Sequence, residues 1–420
     1  MKQAKILLSV LFVLILCLLG TNIVFAQGVS LRAVSTVNEG MGGTATGTPT
    51  DTIGAINWNC ATLSAFDTSD MSMGSGIIIA NAKVESSFNG MEGSTRSDTG
   101  AVPAPYMGFR MKDPKRPFTY GFGLFAIGGA QINYPGDNSN PILNDLYGVG
   151  RTSSKVEAFQ MVPTLSMKIT DRLSFGVAPT VMMGRLIAEP LFFGPADNSG
   201  HWAKGAGTRY IWGAGYQIGL YYQGENHFNY GISYKSEQFS EKFPYNVNLD
   251  GENYEALFRL RFPQIISMGV SYDGFEDTII GVDVRWFDYK TTAGFQHYGL
   301  NPDGSIKGLG WDSIWAVCVG AQRKISDRFT VRCGYSFNQN PISEEVVVWN
   351  IPCPLVMQHS LHMGATFTLF DNWKFNIAYA HVFKNEIAGK NPKWTPYDTD
   401  NYVRSIASAE ALSFGINREF

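Results

Sequence analysis

No apolar run in this sequence reaches the roughly 20 residues that a helix needs to span a bilayer. Charge is scarce as well: Asp, Glu, Lys and Arg make up 16% of the chain, against about 25% in an ordinary soluble domain. The first absence excludes a bundle of membrane-spanning helices, and a mean hydropathy close to zero agrees with it. A near balance of 33 basic and 36 acidic residues excludes a basic nucleic-acid binder. No glycine cluster runs into Gly-Lys-Ser/Thr, so a phosphate loop of the Walker type is missing. The five cysteines show neither a CxxC pair nor a metal-ligand spacing, and neither metal nor cofactor is expected. What is plentiful is glycine, 45 residues, and aromatic side chains, 13%. Aromatic and β-branched residues are too frequent for a disordered chain. A transmembrane β-barrel gives this mixture, because its apolar and polar faces alternate and cancel in any window average.

The first residues carry an address. Lys2 and Lys5 precede an apolar stretch from Ile6 to Leu19, and Val24 and Ala26 fit the small-residue pattern before a cleavage site. Residues 1–26 therefore read as a secretory signal peptide. Leu16 before Cys17 does not fit a lipoprotein. Cleavage leaves Cys60, Cys318, Cys333 and Cys353. On the strand phase below, Cys318 and Cys333 fall on opposite faces. Either Cys60 and Cys318 both face inward and bridge, or all four stay free.

Alternation of period two recurs along the chain. At the C-terminus Leu412, Phe414, Ile416 and Phe420 share one face, and Ser413, Gly415, Asn417 and Glu419 the other. A last strand ending in phenylalanine is usual in bacterial outer-membrane barrels. Fourteen such segments are expected, near 69–85, 102–112, 118–133, 155–169, 173–187, 209–223, 227–239, 259–273, 278–290, 311–325, 328–339, 357–370, 373–384 and 403–420. Their connections alternate between short turns, such as Thr170-Asp171-Arg172 and Ser326-Asp327, and long loops. That is the habit of an up-and-down outer-membrane barrel. The expected fold is all-β: an antiparallel transmembrane barrel over 69–420. Fourteen strands enclose more space than opposing side chains fill. Residues 27–68, which are not strand-like, are placed inside the lumen as a hatch.

These residues resemble the FadL/TodX family of outer-membrane transporters for long-chain fatty acids and other hydrophobic compounds. The likeness begins with Gly40-Met41-Gly42-Gly43-Thr44-Ala45, Asp51 and Ile56-Asn57-Trp58-Asn59-Cys60-Ala61. It continues through Tyr120-Gly121-Phe122-Gly123, Gly128-Gly129, Phe262-Pro263, Asp283-Val284-Arg285-Trp286 and Arg332-Cys333-Gly334-Tyr335-Ser336. Where the family has an Asn-Pro-Ala turn, this chain has Asn59-Cys60-Ala61. The resemblance implies a passive route: capture in an apolar groove between extracellular loops, a pocket in the lumen, rearrangement of the hatch and a sideways exit through a kink in the third strand. A greasy molecule that leaves sideways stays out of water.

Carried onto this chain, the hatch residues are Gly42, Gly43, Asn59, Cys60 and Ala61. The lateral opening falls at Gly128 and Gly129, unless these glycines only relieve barrel curvature. Leu191, Phe192, Phe193 and Trp202 lie in one capture loop, with Phe239 and Phe243 at the other. Apolar residues there bind ligand, pack as a lid, or do both. By strand phase Arg110, Lys235, Asp283, Arg285, Arg332 and Lys374 point inward. Arg285 and Arg332 are candidates for a ligand carboxylate, or such charges pair with neighbours, as Asp283 and Arg285 would. His359, Ser360 and His362 lie together in the sequence, but no motif fixes a nucleophilic triad, so an enzyme is not expected. The expected partners are a hydrophobic small molecule and the surrounding outer-membrane lipid and lipopolysaccharide, with no nucleic acid and a monomeric barrel. The competing expectation is a structural, adhesive or general-diffusion barrel.

Overall fold

The computed structural model describes residues 27–146, 148–198, 201–203, 209–370, 372–390 and 401–420. The expected signal peptide, and parts of the loops around 199–208 and 391–400, lie outside them. Fourteen antiparallel strands follow one another round a cylinder: β1 Asp70–Phe88, β2 Val102–Lys112, β3 Phe118–Tyr134, β4 Thr152–Lys168, β5 Leu173–Glu189, β6 Ile211–Gln223, β7 Phe228–Lys235, β8 Ile265–Phe275, β9 Thr278–Phe287, β10 Ile314–Ser326, β11 Phe329–Asn338, β12 His359–Thr368, β13 Trp373–Gly389 and β14 Tyr402–Glu419. β14 pairs with β1 from Asp70↔Glu419 to Ser87↔Tyr402, which closes the sheet. Closure is forced: hydrocarbon offers no partner for an unpaired N–H or C=O.

The alternation read from the sequence is the alternation of the wall. On β14 Leu412, Phe414 and Ile416 are exposed, while Ser413 and Gly415 face inward and are buried. Trp212, Tyr216, Ile218, Leu220 and Tyr222 make the same outward stripe on β6. Arg110, Lys235, Asp283 and Arg285 are buried inside. All four described cysteines are free, so no Cys60–Cys318 bridge forms. Cys333 is exposed and Cys318 buried, as their opposite phases require.

Several boundaries differ from expectation, for physical reasons. β8 starts at Ile265 rather than 259, because Pro263 has no N–H for the ladder. β7 stops at Lys235, and Phe239–Ser240 forms a separate short pairing with Gly213 and Ala214. Two of the long connections carry strands of their own. Met91–Arg96 folds back on β1. Phe243–Leu249 pairs with Glu252–Phe258 about Asp250-Gly251, both with positive φ, 51° and 87°, which is the Asp-Gly signature of a tight hairpin.

Ile218 lies in the middle of the outward apolar stripe of β6, and Arg in such a place costs about 2–4 kcal/mol. Ile218→Arg is therefore expected to lower the urea stability of the chain refolded into lipid by that order. A change at its inward neighbour, Gln217→Ala, should have a much smaller effect.

Candidate functional site

The segment ahead of β1 runs across the inside of the cylinder. It contains two short helices, α1 Thr36–Gly40 and α2 Thr52–Trp58. Each begins on a side-chain cap: Ser35 Oγ accepts from Asn38 N at 3.1 Å, and Asp51 Oδ2 from Gly54 N at 3.0 Å. Every residue of α2 is buried.

What lets a backbone lie so deep is a belt of glycines on the inner wall. Twelve of the fourteen strands contribute one near the short-turn end: Gly74, Gly108, Gly121, Gly176, Gly219, Gly231, Gly269, Gly281, Gly320, Gly334, Gly364 and Gly415. Neighbours in the belt are cross-strand partners, as in Gly74↔Gly415, Gly176↔Gly219, Gly231↔Gly269 and Gly281↔Gly320↔Gly334. A β-carbon on Gly231 would run into Thr46 O, one on Gly320 into Met41 O and one on Gly176 into the backbone of Ala61. Of the other two strands, β4 offers Ser166, whose Oγ donates to Ala61 O at 2.9 Å, and β13 the small Ala378.

Polar contacts fix the register of this seat. Asp283 Oδ2 accepts from Ala45 N at 2.8 Å and Thr46 N at 2.9 Å. Arg285 pairs with the same oxygen at 2.8 Å, donates to Gly43 O and lies 3.4 Å over the ring of Trp58. Asn59 donates from Nδ2 to Thr46 O at 2.8 Å and to Leu220 O at 3.0 Å. Gly42 and Gly43 turn the chain with φ of 64° and 87°. Cys60, where the family pattern has proline, is fully buried beside Ala61, and burial pushes its thiol up to about 12. It is a small apolar filler there.

The wall itself is interrupted next to this segment. β2 pairs with β3 only from Lys112↔Thr119 to Tyr106↔Phe125, yet it stays paired with β1 as far as Val102↔Ile78. The stretch that leaves β3 unpaired is Val102-Pro103-Ala104-Pro105. Two prolines on alternate positions remove two donors, and since the ladder to β1 survives, the loss falls on the side of β3. β3 carries a register shift between Ala126 and Gly128. A strap of the leading segment fills its free edge: Leu31 N donates to Ile127 O at 2.9 Å and Gly129 N to Val29 O at 3.1 Å, with Ser30 bridged to Gly128. Gly128 has no room for a β-carbon beside Val29 O and Phe262. Gly128 and Gly129 thus lie where β3 leaves β2 and meets the strap.

A cavity of about 180 Å³ opens behind the strap and reaches both edges of the interruption. Its walls are mostly alanine and other small apolar residues, among them Ala80, Ala104, Ala130 and Ala409. At its floor are Arg32, Glu39 and His362. His362 Nδ1 is 2.9 Å from Glu39 Oε1, and its Nε2 is 2.7 Å from Ser360 Oγ and 3.1 Å from Ser336 Oγ. Burial pushes the Glu39 carboxyl up, but the hydrogen bond and charge of His362, with the Arg32 guanidinium, outweigh it and hold the group below the usual carboxylate range. The chain acid–imidazole–hydroxyl has the order of a hydrolase triad, which the sequence did not reveal because Glu39 lies on another element. Ser360, however, is fully buried against Ser336 and does not line the cavity. The hydroxyls orient the imidazole toward Glu39 and so tie α1 to β12.

The apolar loop residues pack together above the cavity. Leu191 and Phe243 are buried in the largest apolar cluster, Phe193 packs against it, and Phe192 is buried as well. Phe192 meets Trp202 edge-on at 5.1 Å, and Phe193 stacks on Phe258 at 3.5 Å. These contacts make a packed lid. Phe239 does not join it: its ring is 55% exposed on the outer wall beside Arg261. Nor do Arg285 and Arg332 stand free for a ligand. Arg285 is spent on Asp283, Gly43 and Trp58, and Arg332 donates to Gln322 at 2.7 Å and Thr366 at 2.6 Å. Strand phase places both inside correctly but is blind to the segment that occupies them.

The sequence matches the family described as "Outer membrane protein transport protein (OMPP1/FadL/TodX)" over residues 17–420. No curated protein matches it. Among solved structures, a Pseudomonas aeruginosa FadL homologue superposes with a TM-score of 0.72 at 15% identity, covering 93% of this chain and 99% of that one. The P. putida toluene transporter TodX gives 0.68 at 14%, covering 93% and 99%. The Ralstonia pickettii toluene transporter TbuX gives 0.64 at 16%, covering 91% and 98%. At such identities the superpositions show the shared fold.

Overpacking a close contact costs about 1–3 kcal/mol, so Gly231→Val is expected to unseat the leading segment while the barrel still closes. Maleimide labelling of Cys60, with Cys333 replaced by Ser as background, should rise about tenfold or more. Unchanged protection of Cys60 would mean that the belt does not hold the segment.

Proposed function

This chain belongs to the OMPP1/FadL/TodX family of outer membrane transport proteins, and from that premise we propose a route for its cargo. It is a β-barrel channel of the bacterial outer membrane for hydrophobic compounds. The molecule is captured at the apolar loop lid, drops into the alanine-walled cavity, and leaves sideways between β2 and β3 when the strap Gly28–Leu31 of the hatch lets go of β3. The observation that carries this reading is the continuity of the cavity with the interruption in the wall, and the fact that a piece of the hatch is what fills the gap.

The physics favours a sideways path. Apolar cargo gains roughly 25 cal/mol for every Å² of apolar surface kept from water, so a watery exit would be its highest barrier. A barrel seated on its own leading segment is also a poor general pore. Long-chain fatty acids and aromatic hydrocarbons both fit an apolar cavity. Leu191, Phe192, Phe193, Trp202 and Phe243 would form the landing surface in a loosened lid, and Phe239 would face lipid. The structural or general-diffusion alternative predicts free passage of sugars, or no passage of anything.

Filling the cavity separates the readings. Ala104→Trp is expected to lower uptake of labelled oleate and toluene about tenfold or more, in cells lacking other such channels, with barrel assembly unchanged; at the same free ligand concentration that factor corresponds to about 1.4 kcal/mol. Liposome swelling with sugars should stay slow for both proteins, and rapid swelling with the wild type would overturn the plugged-channel reading. Leu191→Asp and Phe243→Asp, which place a carboxylate in the lid, should weaken capture at low substrate concentration more than transport at saturation.

A further inference from the structure

One long connection does more than join its strands. The chain leaves β11 at Asn338 and enters β12 at His359, yet between them it reaches across the mouth of the barrel. Ser154 Oγ, near the start of β4, donates to Pro352 O, and β4 and β11 stand seven strands apart in a cylinder of fourteen. On the near side Asn385 Nδ2 of β13 donates to Val356 O at 2.8 Å, and Asn338 Nδ2 to Met357 O at 3.5 Å. Between these anchors the chain is short and stiff. Pro352 and Pro354 each fix a φ angle. Two successive three-residue turns follow, with Leu355 N donating to Cys353 O at 2.8 Å and Val356 N to Pro354 O at 2.9 Å. The result is a beam laid over the lumen.

The beam has two faces. Cys353 and Val356 are buried in the apolar cluster that also holds Leu191 and Phe243 of the lid. Pro354, Leu355 and Met357 line the cavity. Among the described residues, no other long connection contributes to the cavity walls, and the two lid loops contribute nothing. The beam therefore stands between the lid and the cavity. We propose that Pro352–Met357 is the inner gate of the channel, and that Leu355 and Met357 set the cross-section of the cargo that passes it. This rests on the channel reading above and adds a step to it. Cargo held at the lid enters the cavity when the beam swings on its anchors. Met357 is unbranched and yields to a passing ligand, whereas the branched Leu355 limits its breadth. Neither side chain is charged, so the gate sorts by width.

The test locks the beam. Ser154→Cys places a second thiol beside the native Cys353, and a short bismaleimide with a reducible spacer joins the two, with Cys333 replaced by Ser to remove the exposed thiol. Neither Ser154 nor Cys353 lines the cavity, so the link does not narrow it. In cells lacking other such channels, toluene uptake should fall about tenfold or more on linking and return on reduction, a factor that corresponds to about 1.4 kcal/mol. Mass spectrometry identifies the linked chain, and a heat-dependent shift in electrophoretic mobility establishes that it is a closed barrel. Undiminished uptake by the linked barrel overturns the gate. Leu355→Ala should raise uptake of naphthalene relative to toluene about tenfold, the scale on which apolar sites discriminate by a few carbons. A ratio unchanged in both Leu355→Ala and Met357→Ala overturns the assignment of width to these side chains. Ala104→Trp marks the other failure: if toluene uptake survives it, the cavity is not on the path and the route itself is wrong.

Discussion

Backbone can lie against backbone only where no β-carbon stands between them. That constraint shapes the whole molecule. A fourteen-stranded cylinder is wide, and this one is filled by a segment that touches the wall nearly all the way round. The touching points include glycines on eleven strands, six of which (Gly176, Gly231, Gly269, Gly320, Gly334 and Gly364) meet the backbone of the segment, and neighbouring strands present many of them as cross-strand partners. The lumen is thus shaped by missing side chains, whereas the outer wall is shaped by large ones.

Polar chemistry then makes the seat specific. Asp283 accepts two backbone N–H groups of the leading segment while paired with Arg285, and Arg285 is capped by the ring of Trp58. A buried ion pair of this kind is weak evidence of stability in itself, since desolvation offsets the attraction. Its use here is directional: Asp283 Oδ2 and Arg285 together fix where Gly43, Ala45 and Thr46 lie. The tie between Glu39 and His362 does the same for α1.

The fold was legible in the sequence because a barrel wall repeats one rule. Alternation in segments such as 328–339, with short and long connections in turn, is enough to number the strands. Ends were less legible where a proline acts, as at Pro263, or where strands run past the membrane into the loops. The site was legible only in part. Gly128 and Gly129 stand out as glycines late in a strand. Pro103 and Pro105 carry the stronger signal for an interruption, yet inside an alternating segment they pass for ordinary strand residues. Phase assigned Arg285 and Arg332 to the lumen but had no information on depth. Arg32 and Glu39 gave no signal, because the leading segment has no period to read and it is seated against strands distant in the chain, as Glu39 is against His362.

The strap beside β3 also bears on how the wall would reset. Along Val102–Pro105 the neighbouring strand cannot answer β3, so Ile127 O and the Gly129 N–H depend on Leu31 and Val29. Lipid tails have no donors or acceptors to offer in their place. On the lateral-exit reading, every departure of the strap leaves those groups stranded in a waterless setting, and they draw it back once cargo has gone. Such a door closes itself, with no need of an external source of work.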